Sequence, residues 1–163
     1  MKKVANNLAQ SNAKTAFANE LALIYKKTEI LADQQYHCMN SSNKVAGLLR
    51  DIWNVDDLDI RESFYLLCFS SKLDLLGFQM IAQGGLDAVV VDLRILFSVA
   101  LLCKSCSIVI AHNHPSGTLK PSGADRALTK KIFEAGELLD IHLNDHIILT
   151  SDSYFSFRDE GML

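Results

Sequence analysis

The chain has 163 residues, 49% of them hydrophobic, with 16 Lys and Arg against 19 Asp and Glu for a formal net charge of −3. A chain of this length and apolar content can bury a core as one domain without disulfides or a structural metal. The slight acidity excludes a field that would draw the whole molecule onto a phosphate backbone, leaving at most a local basic patch, so strong unaided DNA binding is not expected.

Lys2 and Lys3 open the chain, but Asn6, Asn7, Gln10, Ser11 and Asn12 follow, and no apolar run there resembles a signal-peptide core. Residues 1–19 read as a polar arm or short surface helix, with the domain expected over 20–163. "ELALIYK", 20–26, is the first expected strand. His37 is expected in an exposed loop. "SSNKVAGLLRDIW", 41–53, reads as a helix capped by Ser41 or Ser42, because Val45, Leu48, Leu49 and Ile52 recur at i, i+3, i+4 and i+7.

"ESFYLLCFS", 62–70, and "LDLLGFQMIAQ", 73–83, are two β-rich runs around a Ser-Lys turn, and an antiparallel pair is expected. Asp74 belongs to that turn, and Gly84 with Gly85 ends the second run. Asp92 is expected to cap a helix over "LRILFSVALLCK", 93–104. The apolar stretch around 95–103 is too short to span a bilayer, so a cytosolic location is expected. Cys103 and Cys106 have the C-x-x-C spacing, but no second pair accompanies them; together with Cys38 and Cys68 they read as reduced cysteines packed as small apolar side chains.

"CSIVIAH", 106–112, is continuously apolar, as expected of an interior strand. A Pro- and Gly-containing loop leads into an amphipathic helix, "SGADRALTKKIFEAGELLD", 122–140. "IHLNDHIILT", 141–150, is one strand or two, and a short tail follows. Helices interspersed with a hairpin and a buried central strand imply an α/β sandwich with a mixed sheet. In open sheets of this kind ligands bind where an interior strand hands over to a helix. "AHNHPSGTLKPSGAD", 111–125, lies at that handover.

His112 and His114 are two apart, so on extended backbone their imidazoles point to the same side and can grip one ion. Asp125, ten intervening residues further on, can supply a third ligand from the first turn of the next helix. Two imidazoles and a carboxylate leave a tetrahedral zinc one open position, the arrangement of a catalytic rather than a structural site. Glu62, at the start of its strand, is the best candidate for a base acting on water there. Ser122 is placed either to steady an oxyanion or to cap the helix in a Ser-x-x-Asp capping box, which needs no metal. Taken alone, a pair of loop histidines is more often structural than ligating. His142 and His146 are expected as ordinary hydrogen-bonded sheet histidines, with His146 alternatively just behind the metal. "YFSF", 154–157, lacks interleaved basic residues and reads as a packing cluster rather than a platform for bases.

The composite of an upstream Glu, His-x-His, ten residues and an Asp, with a Ser three before that Asp, resembles the signature of the JAB/MPN metalloenzymes. "HNHPSG", "PSGAD", "DHIIL" and "YFSFRDEG" narrow the resemblance to the RadC branch, over roughly residues 20–163. It implies a cytidine deaminase-like α/β/α sandwich, Zn2+ at His112, His114 and Asp125, and a water activated by Glu62 with Ser122 beside it. Hydrolysis of a peptide or isopeptide bond in a protein substrate is what the resemblance implies. Longer RadC relatives carry a helix-hairpin-helix DNA domain whose hairpin needs glycine, and this sequence has none before Gly47. The rival expectation is a metal-stabilised accessory module in DNA repair or recombination, without catalysis; a structural zinc, however, is better served by four protein ligands.

Overall fold

A computed structural model describes residues 36–163 apart from 86 and 87; the polar arm at 1–19 and the strand expected at 20–26 lie outside the described residues. The elements follow the order α1 (Ser42–Ile52), α2 (Val55–Leu58), β1 (Ser63–Phe69), β2 (Leu75–Gln83), α3 (Leu93–Leu102), β3 (Ser107–Asn113), α4 (Gly123–Leu138), β4 (His142–Leu149) and β5 (Tyr154–Ser156). The strands form one sheet in the order β2-β1-β3-β4-β5. β3 and β4 are parallel and the other neighbours antiparallel, so the sheet is mixed. The run at 141–150 is a single strand, β4. The short α2 and β5 have too few residues to give a periodic signal, and the sequence pattern does not announce them.

Alternation along the strands divides the core into two layers. Leu67 and Phe69 of β1, Val109 and Ala111 of β3, and Ile147 and Leu149 of β4 pack against Val45, Leu48 and Leu49 of α1. Phe64, Leu66 and Cys68, with Ile108 and Ile110, face the opposite way onto Leu96 and Ala100 of α3 and Ile132 of α4. The result is the expected α/β/α sandwich. β3 is buried at every position because it has helices on both faces and a strand on each side.

The caps follow the sequence. Ser41 accepts from the Lys44 amide at the start of α1, and Asp92 accepts from the Arg94 amide at 2.9 Å at the start of α3. Hydrogen bonds from Arg94 hold the Asp92 carboxyl down to about 2. All four cysteines are free. Cys68 is buried in the sheet, where desolvation pushes its thiol up to about 12. Cys38 and Cys106 depart from the expected packing: both are exposed, Cys38 ahead of α1 and Cys106 in the bend just before β3.

Candidate metal centre

The site lies at the end of β3. The antiparallel register pairs Phe64 with His112, so extending it by two residues sets Glu62 opposite His114 on the same face of the sheet. Glu62 lies just before β1, where its amide donates to Gly85 O at 2.8 Å and its carbonyl accepts from Gly84 N at 2.7 Å. His114, just beyond β3, continues the parallel ladder by donating its amide to Leu149 O at 3.1 Å. The chain then turns through Gly117, whose positive φ of 75° favours glycine, and enters α4.

At the start of α4, Ser122 Oγ accepts from the Asp125 amide at 3.1 Å, while Asp125 Oδ2 accepts from the Ser122 amide at 2.7 Å. This is a complete capping box. It does not compete with a metal role for Asp125. By engaging Oδ2 it turns Oδ1 toward His112, 3.3 Å from Nε2. Oδ2 remains 3.7 Å from Nε2 of His114. The two imidazole Nε2 atoms are 2.9 Å apart.

His112, His114 and Asp125 thus bring one ligand atom each to within 4.8 Å of one another. A tetrahedral zinc with bonds of ~2.0–2.1 Å to nitrogen holds neighbouring ligand atoms about 3.3–3.4 Å apart. The observed spacings of 2.9, 3.3 and 3.7 Å lie within about half an ångström of that. The donor chemistry fits as well. Nδ1 of His114 donates to the carbonyl of Thr118, which leaves its Nε2 lone pair facing the cluster in the neutral ring. Burial alone would raise the Asp125 carboxyl, but the adjoining His112 and His114 imidazoles outweigh it and hold the group well below the usual carboxylate range. The adjoining Asp125 carboxylate in turn raises the His114 imidazole, with a smaller contribution from the charge of Glu62.

An open cleft of about 580 Å³ spreads in front of these atoms, lined by Glu62, Ser122 and the three candidate ligands together with Val89, Val91, Pro115 and Leu128. Glu62 is buried to 8% exposure at its inner wall. The five residues singled out in the sequence therefore meet in one place. His37 and His142 do not: His37 is exposed beside Asp74, and His142 is exposed beside Glu137.

Three further residues support the cluster. Asn113, fully buried between the two histidines and on the opposite face, accepts from the Ser63 amide at 2.8 Å and donates to Leu58 O at 2.6 Å and Arg61 O at 2.9 Å. Its bonds to Arg61 and Ser63 bracket Glu62. The sequence signal is an amide side chain between two histidines at the end of a buried strand, where it faces away from them and must find partners inside the protein. His146 lies 2.8 Å from His112 and 2.6 Å from Thr129, directly behind the cluster rather than among the ordinary sheet histidines. Burial, then the neighbouring His112, pushes its imidazole well below the ordinary value. Phe157 of the expected packing cluster stacks on it at 4.6 Å between centroids.

A family model described as a RadC-like JAB domain matches residues 39–162. The chain belongs to that family. Among curated proteins, this RadC-like JAB chain is 34% identical to a UPF0758 protein of Chlorobaculum tepidum over 91% of its own length and 66% of the relative's. It is 40% identical to a UPF0758 protein of Flavobacterium johnsoniae over 62% of this chain and 44% of that one. A UPF0758 protein of Methanosarcina barkeri is likewise 40% identical, over 63% of this chain and 45% of its own. The RadC-like chain thus aligns with between about two-fifths and two-thirds of the length of these relatives. JAB domains are often metallohydrolases that bind zinc, and the His112, His114 and Asp125 group is of the kind that can hold a metal.

Proposed function

We propose that this protein is a zinc-dependent hydrolase of the JAB/MPN metallopeptidase type, cleaving an amide or isopeptide bond in a peptide or protein substrate. The convergence of two imidazole nitrogens and one carboxylate at the floor of an open cleft, with Glu62 on the wall, carries the reading. Three protein donors leave a fourth position for water or substrate, as in catalytic rather than structural zinc sites. His112, His114 and Asp125 would hold the ion, and when bound it supplies Lewis acidity and makes water acidic enough to be deprotonated near neutral pH.

The chain's own residues do the rest. Glu62 takes a proton from the attacking water at its carboxylate and later delivers it to the leaving nitrogen. Ser122 Oγ uses its lone pair on the Asp125 amide. Its hydroxyl hydrogen is left to donate to the carbonyl oxygen of the substrate as negative charge builds there, so capping and oxyanion stabilisation are compatible roles. Val89, Val91, Pro115 and Leu128 give the cleft an apolar wall for the substrate chain. Free cysteines are in keeping with a reducing cytoplasmic setting.

The experiment is zinc analysis joined to a screen of peptide and isopeptide-linked substrates, run on the parent and on Glu62→Gln. Glutamine keeps the size of the side chain but cannot take up the proton. The variant is expected to retain zinc and to lose ~10²–10⁴ in turnover. Zinc lost with the substitution would make Glu62 a ligand. Turnover surviving with zinc in place would remove it as the base. A zinc-loaded parent that cleaves nothing in the screen would favour the accessory-module reading.

A further inference from the structure

The ring of His112 has a second nitrogen, and its surroundings determine where the ring's hydrogen sits. Nδ1 of His112 lies 2.8 Å from Nε2 of His146. Nδ1 of His146 lies 2.6 Å from Oγ1 of Thr129, and that hydroxyl is 2.6 Å from the main-chain carbonyl of Asp125. A carbonyl accepts and never donates, so the single hydroxyl hydrogen of Thr129 is committed to Asp125 O. The hydrogen between Thr129 and His146 must therefore belong to Nδ1 of His146. His146 is fully buried and packed against Phe157 and Phe64, surroundings that favour the neutral ring. A neutral ring with its hydrogen on Nδ1 presents a lone pair at Nε2. The hydrogen between the two imidazoles then falls to Nδ1 of His112, and the lone pair of His112 Nε2 faces His114 and Asp125.

We propose that Thr129 and His146 form a positioning relay that holds His112 as its Nδ1–H tautomer and fixes the aim of its ring at the metal. The inference rests on the metal reading given above and deepens it: neither relay residue is a ligand. Metal-binding histidines ordinarily hand their second N–H to a carboxylate, a backbone carbonyl or water. Here a neutral imidazole takes that place, so the ligand is oriented without adding negative charge behind the ion. The relay also joins two ligands mechanically, because it starts from the main chain of Asp125 on α4 and ends on the side chain of His112 on β3.

Two measurements test the relay. Long-range 1H–15N correlation spectra of the metal-free parent at pH 8 report tautomers directly, and hydrogens on Nδ1 of both His146 and His112 are expected. A hydrogen on Nε2 of His112 would overturn the proposal. Zinc affinity by competition with a fluorescent chelator is expected to fall ~10–100-fold in His146→Leu and in the near-isosteric Thr129→Val, the usual loss when the partner of a metal-binding histidine is removed. His146→Gln, whose side-chain oxygen can accept from His112, should recover most of that loss, which a merely structural role would not explain. Unchanged affinity in both Leu and Val variants would also overturn the relay. A parent that takes up no zinc would overturn the metal reading, while the tautomer spectra would still decide the relay by themselves.

Discussion

Asn113→Ala removes a side chain that touches neither the metal cluster nor the cleft, yet it should disable the site through Glu62. The lost amide makes three hydrogen bonds, to Ser63 N at 2.8 Å, Leu58 O at 2.6 Å and Arg61 O at 2.9 Å. Ser63 is 2% exposed and Leu58 6%, so water cannot readily replace the first two bonds, whereas Arg61 is exposed and its carbonyl can be rehydrated. An unsatisfied buried backbone group costs ~1–3 kcal/mol, so two of them give about 2–6 kcal/mol. For a domain of this size that corresponds to a fall of roughly 4–24 °C in melting temperature. His112 and His114 project from the other face of the strand, so zinc content should be unchanged. Glu62, released from the bonds on either side of it, should lose its placement; a misplacement of about 1 Å can cost on the order of 10² in rate. The assay is thermal or urea unfolding of the variant alongside zinc analysis and turnover on a substrate from the screen. A variant that melts with the parent would refute the hydrogen-bond account, and one that melts early but turns over normally would separate Asn113 from the placement of Glu62. Zinc leaving with the substitution would show that Asn113 supports the ligands and not only the base.

His114→Ala should empty the site: the parent is expected to carry about one zinc per chain, and removing one of three ligands should cost several kcal/mol of the ~10–16 kcal/mol typical of full zinc sites. Metal content equal to the parent's would refute the ligand assignment. Gly84→Ala should destabilise the protein by ~1–3 kcal/mol and displace the cleft wall around Val89, because the added Cβ would lie 2.0 Å from Ala88 O and 2.9 Å from Val89 Cα, and neither is the flexible end of a side chain. An unchanged melting temperature would refute it. Duplex DNA should bind weakly, with an affinity that falls steeply with salt, because the chain has a net charge of −3. Tight, salt-resistant binding would count against that expectation.

The residues whose roles depend on local spacing were legible in the sequence. His112 and His114 announce themselves by alternation on one strand, and Ser122 with Asp125 by the first turn of a helix. Glu62 was legible as the polar start of an apolar strand, although its place opposite His114 follows only from the β1–β3 register. His146 was not resolved, because period-two reading assigns it a face of β4 but not a neighbour. That neighbour comes from the parallel register pairing Ile110 with His146, set by a crossover through α4 that no local pattern encodes. Thr129 was invisible for the same reason: on the helix it is one polar residue among several, and its importance comes from what β4 brings to it. The capping-box and ligand readings of Asp125 looked like rivals in the sequence because each explained the same residue. In the structure Oδ2 closes the box and Oδ1 faces His112, so one carboxylate serves both.

The candidate ligands and the two relay residues, from His112 to His146, all lie within the single β3-α4-β4 crossover, whereas the proposed base arrives from the β1-β2 hairpin through the grip of Asn113 and the bridge to Gly84 and Gly85. On the proposed reading, ion capture and proton transfer are housed in two modules that meet at Asn113. A lineage can lengthen, shorten or reshape the hairpin and the segment after it, altering what enters the cleft and how the base meets it, without touching the cradle. The same division gives the protein engineer a seam: new substrate walls belong on the hairpin side, and the crossover is best left as it is.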